Sequence, residues 1–314
     1  MRKLAEPSDA AYLLYSLLPL RALFAIARAH GRLTHVVARR RRATVRANLA
    51  AAGGAGRSAA ELDALTRRFF EYKAGRSLLL AVATRLTDAE LARLLPTEGL
   101  EHLDAALEHG RGVILLGSHL NSVSMFNAII MLRRRGYDIG VALPEAEDPW
   151  SPSVIRSFLA KRLGTRSVYE ATGAFFAQFN IRPIVRKLAE NAVVAQTGDG
   201  LHSARFVDVE FLGRELPFPT GMAAIAQLTG AVIVPVFQVG SPPDGLRIVF
   251  EEPRTIDAGA DAEASLRAAV ADYARRLEHH LRENLACWEH WLIEDTLTTI
   301  ESWPRRPLAD RYEV

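Results

Sequence analysis

Two stretches of the chain place reactive side chains where a sheet protein holds its chemistry. In the first, a short apolar run, Gly112–Gly117 (GVILLG), ends in glycine and passes into the polar turn Ser118-His119-Leu120-Asn121-Ser122-Val123-Ser124. Such a run reads as a buried parallel strand, and in open α/β sheets ligands bind beyond the carboxyl ends of the strands. Imidazole has the unperturbed pKa that suits proton abstraction near neutral pH, so His119 stands where a general base would. The plainer alternative is a turn histidine satisfied by backbone groups. The second stretch, Gln196-Thr197-Gly198-Asp199-Gly200, sets an acid between two glycines at another strand end. Arg205 follows, then Phe211-Leu212-Gly213-Arg214 and Pro217-Phe218-Pro219-Thr220-Gly221. Glycine permits close backbone approach, and Thr220-Gly221 opens a helix whose free amides suit an anion or a developing oxyanion.

Other chemistries have no sequence support. The chain carries no Gly-x-Ser-x-Gly elbow, Walker A loop, Gly-x-Gly-x-x-Gly or His-Glu-x-x-His. The adjacent His279 and His280 fall on different sides of a helix and read as surface residues, not metal ligands. One cysteine, Cys287, excludes an intramolecular disulfide framework and a four-cysteine zinc site.

The elements that must carry these turns follow from periodicity. Tyr137–Leu143, Ala192–Thr197 and Ala231–Phe237 resemble the first strand, and Leu246–Glu251 reads as a further strand pairing at an edge. Helical stretches Ser124–Arg135, Ser151–Leu163, Ile181–Glu190 and Gly221–Thr229 lie between them, and Ala262–Glu283 is a long amphipathic helix. Alternating strands and helices predict an α/β fold, a single domain with a mostly parallel open sheet flanked by helices. Ahead of it, Ser58–Leu95 is helical, with Ser-x-x-Glu spacing at Ser58/Glu61 and a second cap at Thr87/Glu90. The expected division is an arm over 1–57, a domain over 58–303 and an irregular tail over 304–314.

The 314 residues are 49% hydrophobic and 24% charged, an ordinary globular composition able to bury a core unaided. The net charge of +3 hides an asymmetry: eleven basic residues up to Arg57 face only Glu6 and Asp9, so that segment carries +9 and the remainder −6. A basic end suggests a polyanion as partner. Ala11–Ala27 (AYLLYSLLPLRALFAIA) is apolar but broken by Pro19 and Arg21, short of the ~20 clean residues that cross a bilayer. It also lacks the order of a signal peptide, because the apolar part precedes the more basic one. With Arg28, Arg32 and Arg39–Arg42 behind it, this predicts a segment lying in an anionic membrane surface, the plainer alternative being a helix packed on the core with a solvated basic tail. Nucleic acid is disfavoured, since no aromatics interleave the arginines as a stacking platform.

Taken together, the pieces resemble the lysophospholipid acyltransferase superfamily, most closely its bacterial lipid A late-acyltransferase branch. The resemblance runs from about Leu13 to Leu292. It rests on the apolar N-terminal arm, the Asn-Leu element at Thr44-Val45-Arg46-Ala47-Asn48-Leu49, Gly99–Leu103, Gly112–His119, Asp199, Phe211–Gly221, Gly230–Val236 and Trp288-Glu289-His290. It implies a protein at the cytoplasmic face of the bacterial inner membrane. There it would move a fatty acyl group from an acyl carrier protein or coenzyme A thioester to a hydroxyl or amine of a lipid or glycolipid acceptor, with no cofactor or metal. His119 would be the base. Asn121, Arg205, Gly213, Arg214, Pro219, Thr220 and Gly221 would bind donor or acceptor, the two arginines at the phosphate part of the donor.

Two departures follow. The family's histidine is followed after four residues by Asp or Glu, and here that position is Ser124. A hydroxyl can orient the ring but not stabilise imidazolium, and loss of an orienting charge costs about 10⁴ in triad enzymes. Three readings stay open. Asp199, or Glu145 or Glu147, supplies the charge; Ser124 serves a specialised transferase as orienter or acyl nucleophile; or catalysis is lost and lipid or acyl-carrier binding is kept. The second departure is the acidic Glu145-Ala146-Glu147-Asp148, where the lipid A branch commonly has an arginine, together with Trp291 in place of the basic residue after Trp-x-His. Both favour a less anionic acceptor than lipid A.

Overall fold

The structure is a computed structural model. It describes residues 18–53, 56–83, 86–143, 175–176, 180–201, 203–241, 245–259 and 261–305. Glu145, Glu147, the helix expected over 151–163, the chain ahead of Leu18 and the tail beyond Arg305 lie outside these residues.

The parallel runs form the centre of a sheet with strand order β1-β9-β8-β2-β5-β3-β4 among the described residues. Here β1 is Thr97–Glu98, β2 Val113–Gly117, β3 Ile139–Leu143, β4 Phe175–Phe176, β5 Val193–Thr197, β8 Val232–Val239 and β9 Arg247–Phe250. All neighbours are parallel except β8 and β9. The Leu246–Glu251 strand is therefore not at the edge, as expected from sequence, because β1 pairs outside it. Strand residues alternate between two cores. Ile114, Leu116, Val194, Ile233 and Phe237 face one side, and Val113, Leu115, Val193, Val232 and Val234 the other. Burial on both faces is why these runs read as continuously apolar.

On the second side lie α4 (Asp88–Leu94), α5 (Leu100–Glu108) and α6 (Ser122–Arg134). On the first lie α7 (Arg182–Ala189), α8 (Gly221–Thr229), α9 (Ala262–Glu283) and the hairpin of β6 (Phe206–Phe211) and β7 (Arg214–Pro219). The hairpin frames Gly213, Arg214 and Pro219, expected from sequence as binding residues. It was written in the alternation Phe206-Val207-Asp208-Val209 and in the two-residue turn Leu212-Gly213. Both turn residues have positive φ, 55° and 73°, which glycine adopts freely.

The arm begins with α1 (Leu20–Val37), which buries Leu23 and Phe24 but leaves Leu33, Val36 and Val37 about 60% exposed. Both capping boxes form as expected, Ser58 with Glu61 at the start of α3 (Ala59–Ala83) and Thr87 with Glu90 at the start of α4. Helix α3 puts Phe69 and Phe70 in one core and Leu79 in the other. Helix α2 (Arg39–Ala52) sinks Val45 and Leu49 completely. Its Asn48 reaches the other end of the chain: Nδ2 donates to the carbonyls of Trp291 (3.0 Å) and Ile293 (2.8 Å), and Oδ1 accepts from Thr296 N–H (3.1 Å). Beyond α9 the chain runs through 3-10 turns at Leu285–Cys287 and Glu289–Leu292 into α10 (Thr296–Ser302). A further 3-10 turn covers Trp303–Arg305, so Pro304 and Arg305 are ordered where an irregular tail was expected.

Asn48→Ala strands the Trp291 carbonyl and the Thr296 N–H in the interior and leaves the Ile293 carbonyl only the Thr296 hydroxyl. It is expected to lower unfolding free energy by about 2–4 kcal/mol, read from the urea midpoint at unchanged m-value.

Candidate active site

Strands β2 and β5 are parallel neighbours in a register that sets Gly117 opposite Thr197. Their carboxyl ends therefore deliver His119 and Asp199, 80 residues apart in sequence, to one point. Two contacts fix the ends. Gly198 N–H donates to Gly117 O (2.8 Å), and the Tyr273 hydroxyl on α9 donates to the same oxygen (2.6 Å). The Tyr273 ring fills the space beside Gly198, where a Cβ would come within 2.6 Å of it, so no larger residue fits there.

Asp199 is buried and receives three N–H groups. The His119 backbone N–H lies 2.9 Å from both carboxylate oxygens, His119 Nδ1 is 2.8 Å from Oδ1, and Trp288 Nε1 is 2.9 Å from Oδ2. Burial alone would raise the pKa of this carboxyl. The charge and hydrogen bond of His119 outweigh it, aided by His290 and Trp288, and bring it down to about 2. An ionised carboxylate only accepts hydrogen bonds, so Nδ1 carries the proton in the pair and the lone pair of the neutral ring sits on Nε2. The His119 side chain is 25% exposed, and Nε2 has no hydrogen-bond partner among the described residues. The plainer alternative, a turn histidine held by backbone groups alone, does not describe this ring.

The His290 ring packs against His119 with centroids 4.4 Å apart and planes tilted by 37°, and the Trp288 indole meets His290 edge-on at 4.8 Å. Burial, then the neighbouring His119, push the His290 pKa down to about 4. The ring is neutral near pH 7, and its Nε2 donates to the Asp199 carbonyl oxygen at 3.0 Å. Sequence reasoning noted Trp288 and His290 as elements of a resemblance but not as site residues. Their signal was that pattern alone, because a 3-10 segment shows no periodicity.

The remaining candidates divide. Gly200 borders the site: a Cβ there would lie 3.8 Å from His119 Cε1. Ser124 lies in the first turn of α6. Asn121, in the left-handed region at φ 54°, is buried and uses Nδ2 on Gln238 O (2.8 Å) and Gly240 O (3.2 Å), continuing the ladder beside β8 where β2 has ended. Thr220 bonds Arg205 O through both N–H and hydroxyl and places no side-chain cap on α8, whose first residue is Gly221. Pro219 ends β7 and Gly213 belongs to the hairpin turn. Arg205 is exposed and paired with Glu263, and Arg214 pairs with Glu301 on α10. His279 is exposed as expected. His280 is not: it is buried against Phe237 with Nε2 2.7 Å from Glu251, whose carboxylate offsets the cost of burying the ring.

Among the described residues His119, Asp199 and His290 are also the group of potential metal ligands lying within 4.8 Å of one another. Both rings direct N–H groups at Asp199, so a cation there would have to replace those protons. Among the described residues no helix is long and apolar enough to cross a membrane.

An open α/β sheet with a histidine–carboxylate pair at the ends of adjacent parallel strands is the frame on which the comparisons fall. Residues 10–294 match the family described as bacterial lipid A biosynthesis acyltransferase, and the chain belongs to that family. It is also similar to the phosphatidylinositol mannoside acyltransferases of two Mycobacterium tuberculosis strains, CDC 1551 / Oshkosh and ATCC 25618 / H37Rv. Each is 26% identical over 215 residues, 68% of this chain and 63% of the relative's length.

The site predicts an acid-sensitive fold. Because folding holds His290 near 4 instead of the ordinary 6.5, the unfolded chain binds a proton in that window that the folded chain does not. Stability therefore falls as pH drops from about 6.5 to about 4. The depressed Asp199 pKa adds a second loss below the ordinary 3.8, complete as pH falls through about 2. Thermal midpoints between pH 8 and 4 should decline in the wild type and flatten in His290→Gln, which keeps an N–H donor but does not titrate.

Proposed function

We propose that this chain is a membrane-surface acyltransferase that moves a fatty acyl group from a thioester of acyl carrier protein or coenzyme A to a hydroxyl of a glycolipid. The observation that carries it is the His119–Asp199 pair, with the ring held by Nδ1 and Nε2 left for substrate. Nε2 takes the proton of the acceptor hydroxyl as its oxygen attacks the thioester carbonyl, and the negative charge moves to the carbonyl oxygen. Collapse expels the thiolate, which recovers the proton from Nε2, so one ester forms as one thioester is spent. Asp199 stays ionised and stabilises the transient imidazolium, the role the family's fourth-residue acid would play and Ser124 cannot. Neutral His290 packs against the ring without adding a second positive charge. The uncapped start of α8 at Gly221 is an anion seat for the donor's phosphate or the developing oxyanion. That the relatives act on a mannosylated phosphoinositide supports a sugar hydroxyl on a phospholipid as acceptor, in line with the acids at 145–148.

Membrane contact is supported by α1, where exposed Leu33, Val36 and Val37 lie along the same arm as exposed Arg28, Arg39, Arg40 and Arg41. Apolar side chains would enter the acyl boundary with arginines at anionic headgroups.

With radiolabelled acyl donor and a panel of glycolipids, His119→Ala should abolish transfer and Asp199→Asn should lower kcat by about 10³–10⁴. Transfer undiminished by His119→Ala overturns the mechanism, and lipid binding without turnover by the wild type favours a binding protein on the same fold. The triple variant Leu33→Glu/Val36→Glu/Val37→Glu alters exposed positions only. It should keep its circular dichroism and lose at least about tenfold in binding to phosphatidylglycerol vesicles.

A further inference from the structure

The segment that completes the site, Cys287–His290, is buried, yet its backbone pairing to the strand-end turn is short. It lies antiparallel to residues 119–121 through one bridge, Leu120 to Trp288, with hydrogen bonds from Glu289 N–H to His119 O (3.2 Å) and from Asn121 N–H to Cys287 O (3.0 Å). So short a pairing is not stable alone. The side chains on either side of Glu289 both go to Asp199, Trp288 to the carboxylate and His290 to the main-chain oxygen. The Glu289 side chain goes to Arg76 on α3, and the two form an ion pair with side chains only 13% and 21% exposed.

We infer that Arg76 is a positioning residue of the site: its ion pair with Glu289 holds the Cys287–His290 segment in the register that brings Trp288 and His290 onto Asp199 and fixes the His119 ring. A buried ion pair is a poor device for stability, because desolvation offsets most of its attraction and apolar replacements of similar volume fold as well. Its use lies in direction, since a charge pair tolerates fewer arrangements than an apolar contact. Here it acts on the residue whose N–H binds the His119 carbonyl and whose two neighbours bind Asp199. Asn48 anchors the chain further on, at Trp291 and Ile293, and the Thr296 hydroxyl holds the His290 carbonyl, while Arg76 ties Glu289, between the two residues that bond Asp199.

The inference rests on the proposed acyl transfer only for its kinetic arm, and the test separates the two. In the full-length protein, Arg76→Leu/Glu289→Leu removes both charges and avoids the stranded partner that would unfold either single variant. Arg76→Lys keeps the charge. The structural readout is the low-field proton resonance of His119 Nδ1–H against Asp199, assigned by its loss in His119→Gln. The double variant should keep the wild-type thermal midpoint within a few degrees while that resonance shifts or broadens. Its kcat for transfer from dodecanoyl-coenzyme A should fall about 10²-fold at near-constant KM, the cost of a small displacement of reacting groups. Arg76→Lys should recover part of both. A folded double variant with unchanged resonance and kcat overturns the inference, for the pair would then be structural only. A shifted resonance in a protein whose wild type transfers no acyl group upholds the positioning and overturns the acyltransferase reading alone.

Discussion

A carboxylate can stay ionised in a protein interior only if donors already in place replace the water it has lost. Asp199 meets that condition with three N–H groups, two from His119 and one from Trp288, and much of the structure is arranged around that requirement. The β2–β5 register brings the two strand ends together, Tyr273 seals them from one side, and the Cys287–His290 segment closes the other. Because the carboxylate is charged, the ring beside it has one tautomer and one orientation. Protein geometry and acid–base chemistry here have a single origin.

The helices at the start of the chain take part in the same arrangement. Asn48 on α2 and Arg76 on α3 both reach across more than two hundred residues to the stretch between Glu289 and Thr296. Thr296 passes the support back, since its hydroxyl donates to the His290 carbonyl at 2.6 Å. The sheet brings His119 and Asp199 together, and the N-terminal helices hold the segment that orients them.

Much of this was legible in the residues. The β-branched runs ending in glycine located both strand ends, and with them His119 and Asp199, because a strand buried on both faces leaves an unmistakable apolar stretch. Whether Asp199 or the acids at 145 and 147 lay beside the histidine was not legible, since that depends on strand order, and strand order is decided by pairings between distant segments. His280 was misread for a related reason: a helix period tells which side a residue is on, not that Glu251 waits there to pair with it. Tyr273 reads as one more apolar position of an amphipathic helix, and its hydroxyl contact with Gly117 has no local signature. The β6–β7 hairpin, by contrast, was written in alternation and a two-residue turn and could have been seen.

That the site is closed by Cys287–His290, far along the chain from β2 and β5, has a consequence for how it forms. Its central contacts join residues 80 and 91 positions apart, and the supports at Asn48 join positions 243 to 248 apart, so the site assembles in stages, the strand ends before the segment that closes them. A nascent chain still emerging from the ribosome can pair β2 with β5, yet until Trp288 arrives Asp199 lacks a donor and the histidine beside it lacks its packing partner. A product truncated ahead of residue 288 would keep the β2–β5 pairing and leave Asp199 short of the Trp288 donor.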